Sequence, residues 1–179
     1  MKNHSLRNLL LVLLAFLLGY GVLYLGDQAD SDMQTAIYRE MLRDDQSVRS
    51  LAFFSTQEVS GCTVVGFSYS SAYGDKLGYA VFQPAERGRW ELYSLRCGDG
   101  LHAYRVAPDI YDGPLPLPGD GDCRLILSGS DQLGAVITTD RSGGQKRYDV
   151  TAAPYMLLLE DVYAGRQYLD KNGEIIFQT

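Results

Sequence analysis

A thiol and an imidazole lie five residues apart near the middle of this chain, a spacing that invites nucleophilic chemistry. Cys97 precedes His102, and Asp99 or Asp109 could orient the imidazole ring as the third member of a catalytic group. The surrounding sequence LRCGDGLHAYRV matches no signature of a thiol nucleophile, and Cys97 also suits a disulfide. The sequence therefore favours a non-enzymatic protein, with a hydrolase that uses carboxylates or the Cys97/His102 pair as the alternative.

Aspartates near the third cysteine are hard oxygen ligands of the kind that calcium prefers. They do not complete a twelve-residue helix–loop–helix site, because Cys123, Arg124 and Leu125 follow where its remaining ligands belong. An irregular calcium site and ordinary turn aspartates both fit the pattern. The three cysteines lack the C-x-x-C spacing of a structural zinc site, and no cofactor is predicted. The calcium candidates are Asp109, Asp112, Asp120 and Asp122.

The stretch Tyr111 to Cys123, YDGPLPLPGDGDC, contains three of the six prolines. Proline stiffens an extended chain, so we expect a restrained surface loop that returns the chain from Cys97 to Cys123. A Cys97–Cys123 disulfide with Cys62 free would close this loop and stabilise the fold by roughly 3.5 kcal/mol. If the protein binds a partner, the predicted binding surface is the loop region His102 to Asp122. The candidate binding residues are His102, Tyr104, Asp109, Tyr111 and Asp112.

Apolar residues alternate with a period of two after Ser47, as expected for half-buried strands. Turn sequences such as AYGDK and DKNGE separate the runs and leave no room for crossover helices, so the sheet should be antiparallel. The predicted fold class is mainly β, an antiparallel meander that forms a sandwich or partial barrel. The predicted strands are Leu51 to Thr56, Cys62 to Tyr69, Leu77 to Gln83, Gly88 to Leu95, Leu101 to Val106, Cys123 to Ser128, Leu133 to Thr138, Arg147 to Thr151, Tyr155 to Glu160 and Glu174 to Gln178.

Two helices are predicted before the strands. Leu9 to Leu25 carries no charge and would be about 25 Å long, near the lower limit for crossing a membrane. Lys2 and Arg7 precede it and no basic residue follows until Arg39, so the N-terminus should be cytoplasmic and the body extracytoplasmic. The residues in and after the apolar run fit a signal-peptidase cleavage site poorly, so we expect a retained anchor. Cleavage would instead secrete the protein. Ala29 to Arg43 should form a short amphipathic helix that packs on the β domain.

These features divide the chain into an anchor with its cytoplasmic stub (1–26), a juxtamembrane helix (27–47) and an extracytoplasmic β-rich domain (48–179). Outside the anchor 14 Lys and Arg oppose 22 Asp and Glu, and this acidic body argues against nucleic-acid binding. The architecture and the ending YLDKNGEIIF resemble small membrane-anchored or secreted β-rich proteins of bacterial envelopes. We therefore expect a plasma-membrane, single-pass binding or interaction module of the cell envelope, or else an accessory subunit of a membrane complex.

Overall fold

The computed structural model describes residues 32–86, 89–119, 122–160 and 164–179. Their strands form three antiparallel sheets of four strands each, so the mainly β class and the antiparallel pairing are confirmed. The predicted anchor over Leu9 to Leu25 lies outside the described residues. Within the described ranges, no helix has both the length and the apolar character needed to cross a membrane.

The first sheet is a meander of consecutive hairpins in the order β1-β2-β3-β4. The β1–β2 turn consists of Ser60 and Gly61, and both have positive φ angles, 50° and 74°. Positive φ at both positions is the two-residue hairpin geometry that matches the twist of the flanking strands. The strands are β1 (Ser50–Val59), β2 (Cys62–Ser71), β3 (Gly74–Pro84) and β4 (Trp90–Cys97).

The predicted amphipathic helix is present as α1, over residues 32–44 of the described chain. Its stripe of Met33, Ile37 and Met41 is buried in one cluster with Val65 and Phe67 of β2. Residues of β2 on the opposite face are also buried, because the first sheet has a second layer packed behind it. The alternation of β2 therefore separates two cores and not a core from solvent.

The second sheet has the strand order β10-β7-β6-β5, and the third has the order β12-β11-β8-β9. Leu125 and Leu127 pack toward the first sheet, whereas Ile126 between them packs with Tyr168 of the third sheet. Helix α1 and the three sheets therefore contact one another in succession. The strands are β5 (Arg105–Ala107), β6 (Ile110–Pro114), β7 (Arg124–Ser128), β8 (Leu133–Thr139), β9 (Gln145–Asp149), β10 (Tyr155–Leu159), β11 (Gly165–Asp170) and β12 (Ile175–Gln178).

The structure differs from the predicted strands in three places. Leu101 to Val106 is mostly a 3-10 helix, Gly98–Tyr104, which begins at a glycine with φ of +51° and is followed by the short strand β5. Strands β6 and β11 had no prediction. Each pairs on both edges, β6 with β5 and β7, and β11 with β8 and β12, and short polar runs do not signal such pairing.

The proline stretch is not the surface loop that its composition predicts. Its first residues belong to β6, and Leu115 and Leu117 then alternate with prolines and are buried in the core between the first two sheets. The N–H of Leu115 donates to the carbonyl of Cys123 at 2.8 Å, so the stretch returns on itself beside β7. Leu115 and Leu117 are therefore part of the hydrophobic core.

The predicted Cys97–Cys123 disulfide is absent, and all three cysteines are free thiols. Cys97 packs against the core under helix α1, whereas Cys123 lies in the core on the other side of the first sheet, in one cluster with Cys62. A sheet separates the two predicted partners. Loop length alone could not reveal this separation, because it depends on which face of a strand each cysteine occupies.

Candidate functional site

A cleft of about 450 Å³ lies between the first and second sheets, beside the 3-10 helix. Strand β3 contributes Lys76 and Leu77, the 3-10 helix contributes His102, and β5 and β6 contribute Arg105 and Tyr111. This volume is in the range of pockets that bind small molecules or short peptides. The wall residues come from chain segments that only the stacking of the two sheets brings together.

One side of the cleft carries a connected set of charges. The Nζ atom of Lys76 lies 3.2 Å from Oδ1 of Asp99, and the same oxygen lies 3.8 Å from Nε2 of His102. Nζ also lies 5.7 Å from the centre of the Tyr73 ring. Asp99 is largely exposed, so its ion pair with Lys76 adds little stability. The main effect of these contacts is to hold a cation and an imidazole at the mouth of the cleft.

Other charged residues of the cleft have no ion-pair partner among the described residues. The carboxylates of Asp75 and Asp109 are exposed, and the guanidinium of Arg105 has only a long 3.4 Å contact from Nε to the carbonyl of Ala107. Ionic groups of both signs therefore face the cleft without an internal counter-ion. Such an arrangement can bind a ligand that carries both an anionic and a cationic group.

Asp109 has an unusual backbone conformation. Its φ angle is +55°, a left-handed conformation that non-glycine residues seldom adopt, although aspartate tolerates it better than most. The carbonyl of Asp109 accepts a 2.9 Å hydrogen bond from the N–H of Gly129, and this bond fixes the turn between β5 and β6. The turn therefore holds a carboxylate at the cleft where glycine would be the less strained choice.

Tyr111 forms part of the cleft wall and is partly buried. Burial raises the pKa of its hydroxyl, and the charge of Asp109 raises it further, while Arg105 lowers it. The hydroxyl is therefore protonated at neutral pH and can donate or accept a hydrogen bond. The ring adds an apolar surface between the charged groups.

The thiol–imidazole pair considered from the sequence is not assembled. Cys97 lines a different cavity, of about 350 Å³, between helix α1 and the first sheet, whereas His102 lines the cleft. Burial raises the pKa of the Cys97 thiol, although its hydrogen bond with Tyr69 opposes this effect. A nucleophilic cysteine needs a lowered pKa, so the environment of Cys97 is that of a structural thiol.

The structure brings three of the five predicted binding residues into the cleft: His102, Asp109 and Tyr111. Tyr104 lies behind the wall, where its ring faces Gly113 and its hydroxyl accepts a 2.5 Å hydrogen bond from Arg96. It therefore supports the second sheet and does not line the cleft.

Asp112 lies on the opposite face of β6 from Tyr111, because adjacent strand residues point to opposite sides. Its side chain is 1% exposed and accepts hydrogen bonds from three groups across two sheets. Nε of Arg124 donates at 2.8 Å, and Nε of Arg166 and the hydroxyl of Tyr168 both donate at 2.6 Å. We call these four side chains the Asp112 network. It connects the second sheet to the third and does not face the cleft.

The calcium candidates do not form one site in the described part of the chain, where no group of three or more His, Cys, Asp or Glu side chains is placed to hold a metal ion. Asp109 lines the cleft, Asp112 is buried between two guanidinium groups, and Asp122 is exposed. Asp120 lies outside the described residues.

Sequence reasoning missed the cationic half of the cleft. Lys76 is the last residue of the predicted turn AYGDK, far from the proline stretch, and Arg105 lies in what reads as an ordinary strand. No local signal distinguishes either from a solvated surface charge. Their role depends on the packing of β3 against the second sheet.

Comparisons of the chain with protein-family models, with curated proteins and with solved structures find no match. The fold and the cleft define a mostly β protein with a mixed-charge cleft between two of the three described sheets.

The Tyr79 hydroxyl, buried behind the cleft, makes no hydrogen bond among the described residues. Burial raises its pKa to about 12. Because Tyr79→Phe removes a desolvated hydroxyl and no internal bond, we expect the free energy of unfolding to stay unchanged or rise by up to about 1 kcal/mol. Urea unfolding of the full chain measures this. Tyr168→Phe is the control and should lower stability by roughly 1.5 kcal/mol, because its hydroxyl donates to a carboxylate. An equal loss in both variants would contradict the expectation.

Proposed function

We propose that this protein is a non-enzymatic binding module and that the cleft between its first two sheets is the ligand site. The observation that carries the proposal is the convergence of His102, Asp109 and Tyr111 with Lys76 and Arg105 in one cleft. Surface charges usually have water as their only neighbour. Here they surround a concave space that is large enough for a ligand.

The charges define the chemical class of the ligand. Asp109 and Asp75 can bind an ammonium or guanidinium group, and Arg105 can bind a carboxylate with two parallel hydrogen bonds. Tyr111 and Leu77 offer apolar contact between these poles. A short peptide segment with one basic and one acidic side chain satisfies all of these groups together.

Two finer expectations belong to the same proposal. The unequal charges around Leu9 to Leu25 support a single-pass anchor with the β domain outside the cytoplasm, which makes the envelope the source of the ligand. The stacking of the first sheet on the second favours a sandwich over an open meander.

A titration with capped tripeptides tests the proposal. A peptide of lysine, alanine and aspartate should produce saturable ¹⁵N chemical-shift changes at cleft residues of the full chain. Arg105→Gln and Asp109→Asn should each weaken binding by about threefold or more, since each removes one ion pair. Asparagine tolerates the left-handed conformation, so Asp109→Asn should leave the melting temperature unchanged.

Matched variants outside the cleft lining provide the control. Arg141→Gln and Asp122→Asn remove the same types of charge from exposed positions and should leave binding unchanged. The proposal fails if no saturable shift occurs in the cleft, or if the control variants weaken binding as much as the cleft variants do.

A further inference from the structure

The outer edge of β4, a strand of eight residues, is a free edge of the first sheet in the described chain. Strand β4 is the last strand of that sheet and pairs only with β3 among the described residues. The opposite edge, β1, lies beside β10, and Gln57 donates to the carbonyl of Met156 at 3.0 Å. The edges β5, β9 and β12 are shorter. An exposed row of backbone donors and acceptors is a template for pairing with another strand.

Large exposed apolar side chains are concentrated on this edge strand. Trp90 is 36% exposed and Tyr93 is 44% exposed, and they are two of the four exposed large hydrophobic residues in the described ranges. Aromatic rings are enriched where protein surfaces associate. The edge therefore offers both backbone pairing groups and apolar area.

The sequence of β4, WELYSLRC, is complementary to itself in the antiparallel direction. We propose that β4 pairs with β4 of a second copy of this chain, so that two four-stranded sheets become one continuous sheet. A two-fold axis between Tyr93 and Ser94 sets the register. Across that axis Trp90 is opposite Cys97, Glu91 is opposite Arg96, Leu92 is opposite Leu95, and Tyr93 is opposite Ser94.

In this register each pair of opposite residues must point to the same face of the sheet. A β-bulge in β4 makes this possible. The β3–β4 register shifts between Val81 and Phe82, which leaves Tyr93 as the extra residue of β4. As a result Leu92 and Leu95 both lie on the helix α1 side of the sheet. Glu91 and Arg96 are opposite Gln83 and Tyr79 of β3, so both lie on the other side. A two-fold axis perpendicular to the sheet places the same face of both copies on the same side of the combined sheet. Leu92 of one copy then contacts Leu95 of the other, and each Glu91 lies opposite an Arg96.

The charges and the bulge are both compatible with pairing. Nη1 of Arg96 already donates to the hydroxyl of Tyr104, and the guanidinium retains further donors for Glu91 of the second copy. A bulge commonly discourages edge pairing by twisting the strand. In this register the two bulged residues are neighbours across the axis, so both strands twist at the same point.

A charge-reversal series on the full chain, solubilised in a mild detergent, tests the interface by native mass spectrometry over a concentration range. Glu91→Arg should raise the dimer dissociation constant about tenfold, because two attractive cross-strand pairs become repulsive. Adding Arg96→Glu should restore most of the affinity, since the charges are then exchanged. Glu58→Arg, an exposed position on β1 of the same sheet, should leave the dimer unchanged.

A second measurement covers the case in which the Arg96 variant does not fold. Trp90→Cys places a thiol opposite Cys97 of the second copy, and mild oxidation should cross-link the two chains through these positions. Ile175→Cys, an exposed position on β12, should give no such cross-link. A chain that stays monomeric up to about 100 µM, well above the dissociation constants of specific complexes, would overturn the proposal. Cross-links that map elsewhere, or a Glu58→Arg effect equal to that of Glu91→Arg, would also overturn it.

Discussion

Replacing Asp112 with asparagine is expected to lower the free energy of unfolding by about 3 kcal/mol, as observed when one partner of a buried ion pair is removed. The carboxylate is almost fully buried and accepts hydrogen bonds from Arg124, Arg166 and Tyr168. Burial by itself would lower the pKa of Arg166, but its hydrogen bond and ion pair with Asp112 hold that pKa above its usual range. The asparagine variant therefore leaves a buried guanidinium without a counter-ion.

Urea unfolding of the full chain, followed by circular dichroism, measures this loss. The control is Asp122→Asn, which changes an exposed carboxylate just before β7, the strand that carries Arg124. It should lower the free energy of unfolding by less than about 0.5 kcal/mol. A loss of less than about 1 kcal/mol in Asp112→Asn would mean that water or another group satisfies both arginines.

Gly134→Ala is expected to destabilise the fold by about 2 to 3 kcal/mol, the upper part of the range for overpacking. A Cβ atom at this position would lie 2.5 Å from the carbonyl oxygen of Asp170 and 2.8 Å from Cα of Lys171. Both are backbone atoms, so no side-chain rotation can relieve the clash. Strand β11 would have to move away from β8 where their register already shifts, at Leu169 and Asp170.

The matched control is Gly100→Ala in the 3-10 helix. No atom lies within 4 Å of a Cβ built on Gly100, and its φ is outside the left-handed range, so stability should stay within about 0.5 kcal/mol of the parent. Hydrogen exchange can locate the effect of Gly134→Ala, because β11 amides should exchange faster while β2 amides keep their protection. Uniformly faster exchange would instead indicate global destabilisation without a local cause.

These two substitutions act on the same junction. Strand β11 carries Arg166 and Tyr168, and both donate to Asp112 on β6. The other face of β6 presents Tyr111 to the cleft. The Asp112 network therefore supports the strand that forms part of the cleft wall. A change at the third sheet can alter the cleft without any contact with it.

Local pattern was sufficient for the helix and for most strands. Met33, Ile37 and Met41 recur at four-residue steps, and α1 buries them as predicted. The period-two runs in β1 to β4 are joined by short turns, so the pairing that forms them is local. For α1 and for β1 to β4, whose partners are their neighbours in sequence or lie close by, the residues themselves were enough to predict the element.

Prediction failed where partners are distant in sequence. Asp112 and Tyr111 are adjacent, and both were proposed as binding residues, yet they face different layers because β6 is covered on both sides. Cys97 and Cys123 have a suitable loop spacing but lie on opposite sides of the first sheet.

The amino-acid sequence by itself determined the mainly β class, the antiparallel hairpins and the amphipathic helix, because each follows from side-chain period and turn chemistry within a few residues. Only the tertiary structure decided that Lys76 and Arg105 share a cleft with Asp109, and that Asp112 connects two sheets. The reason is physical. Which face of a strand becomes a core, a cleft or an interlayer contact depends on the layer that packs against it, and that layer comes from distant parts of the chain.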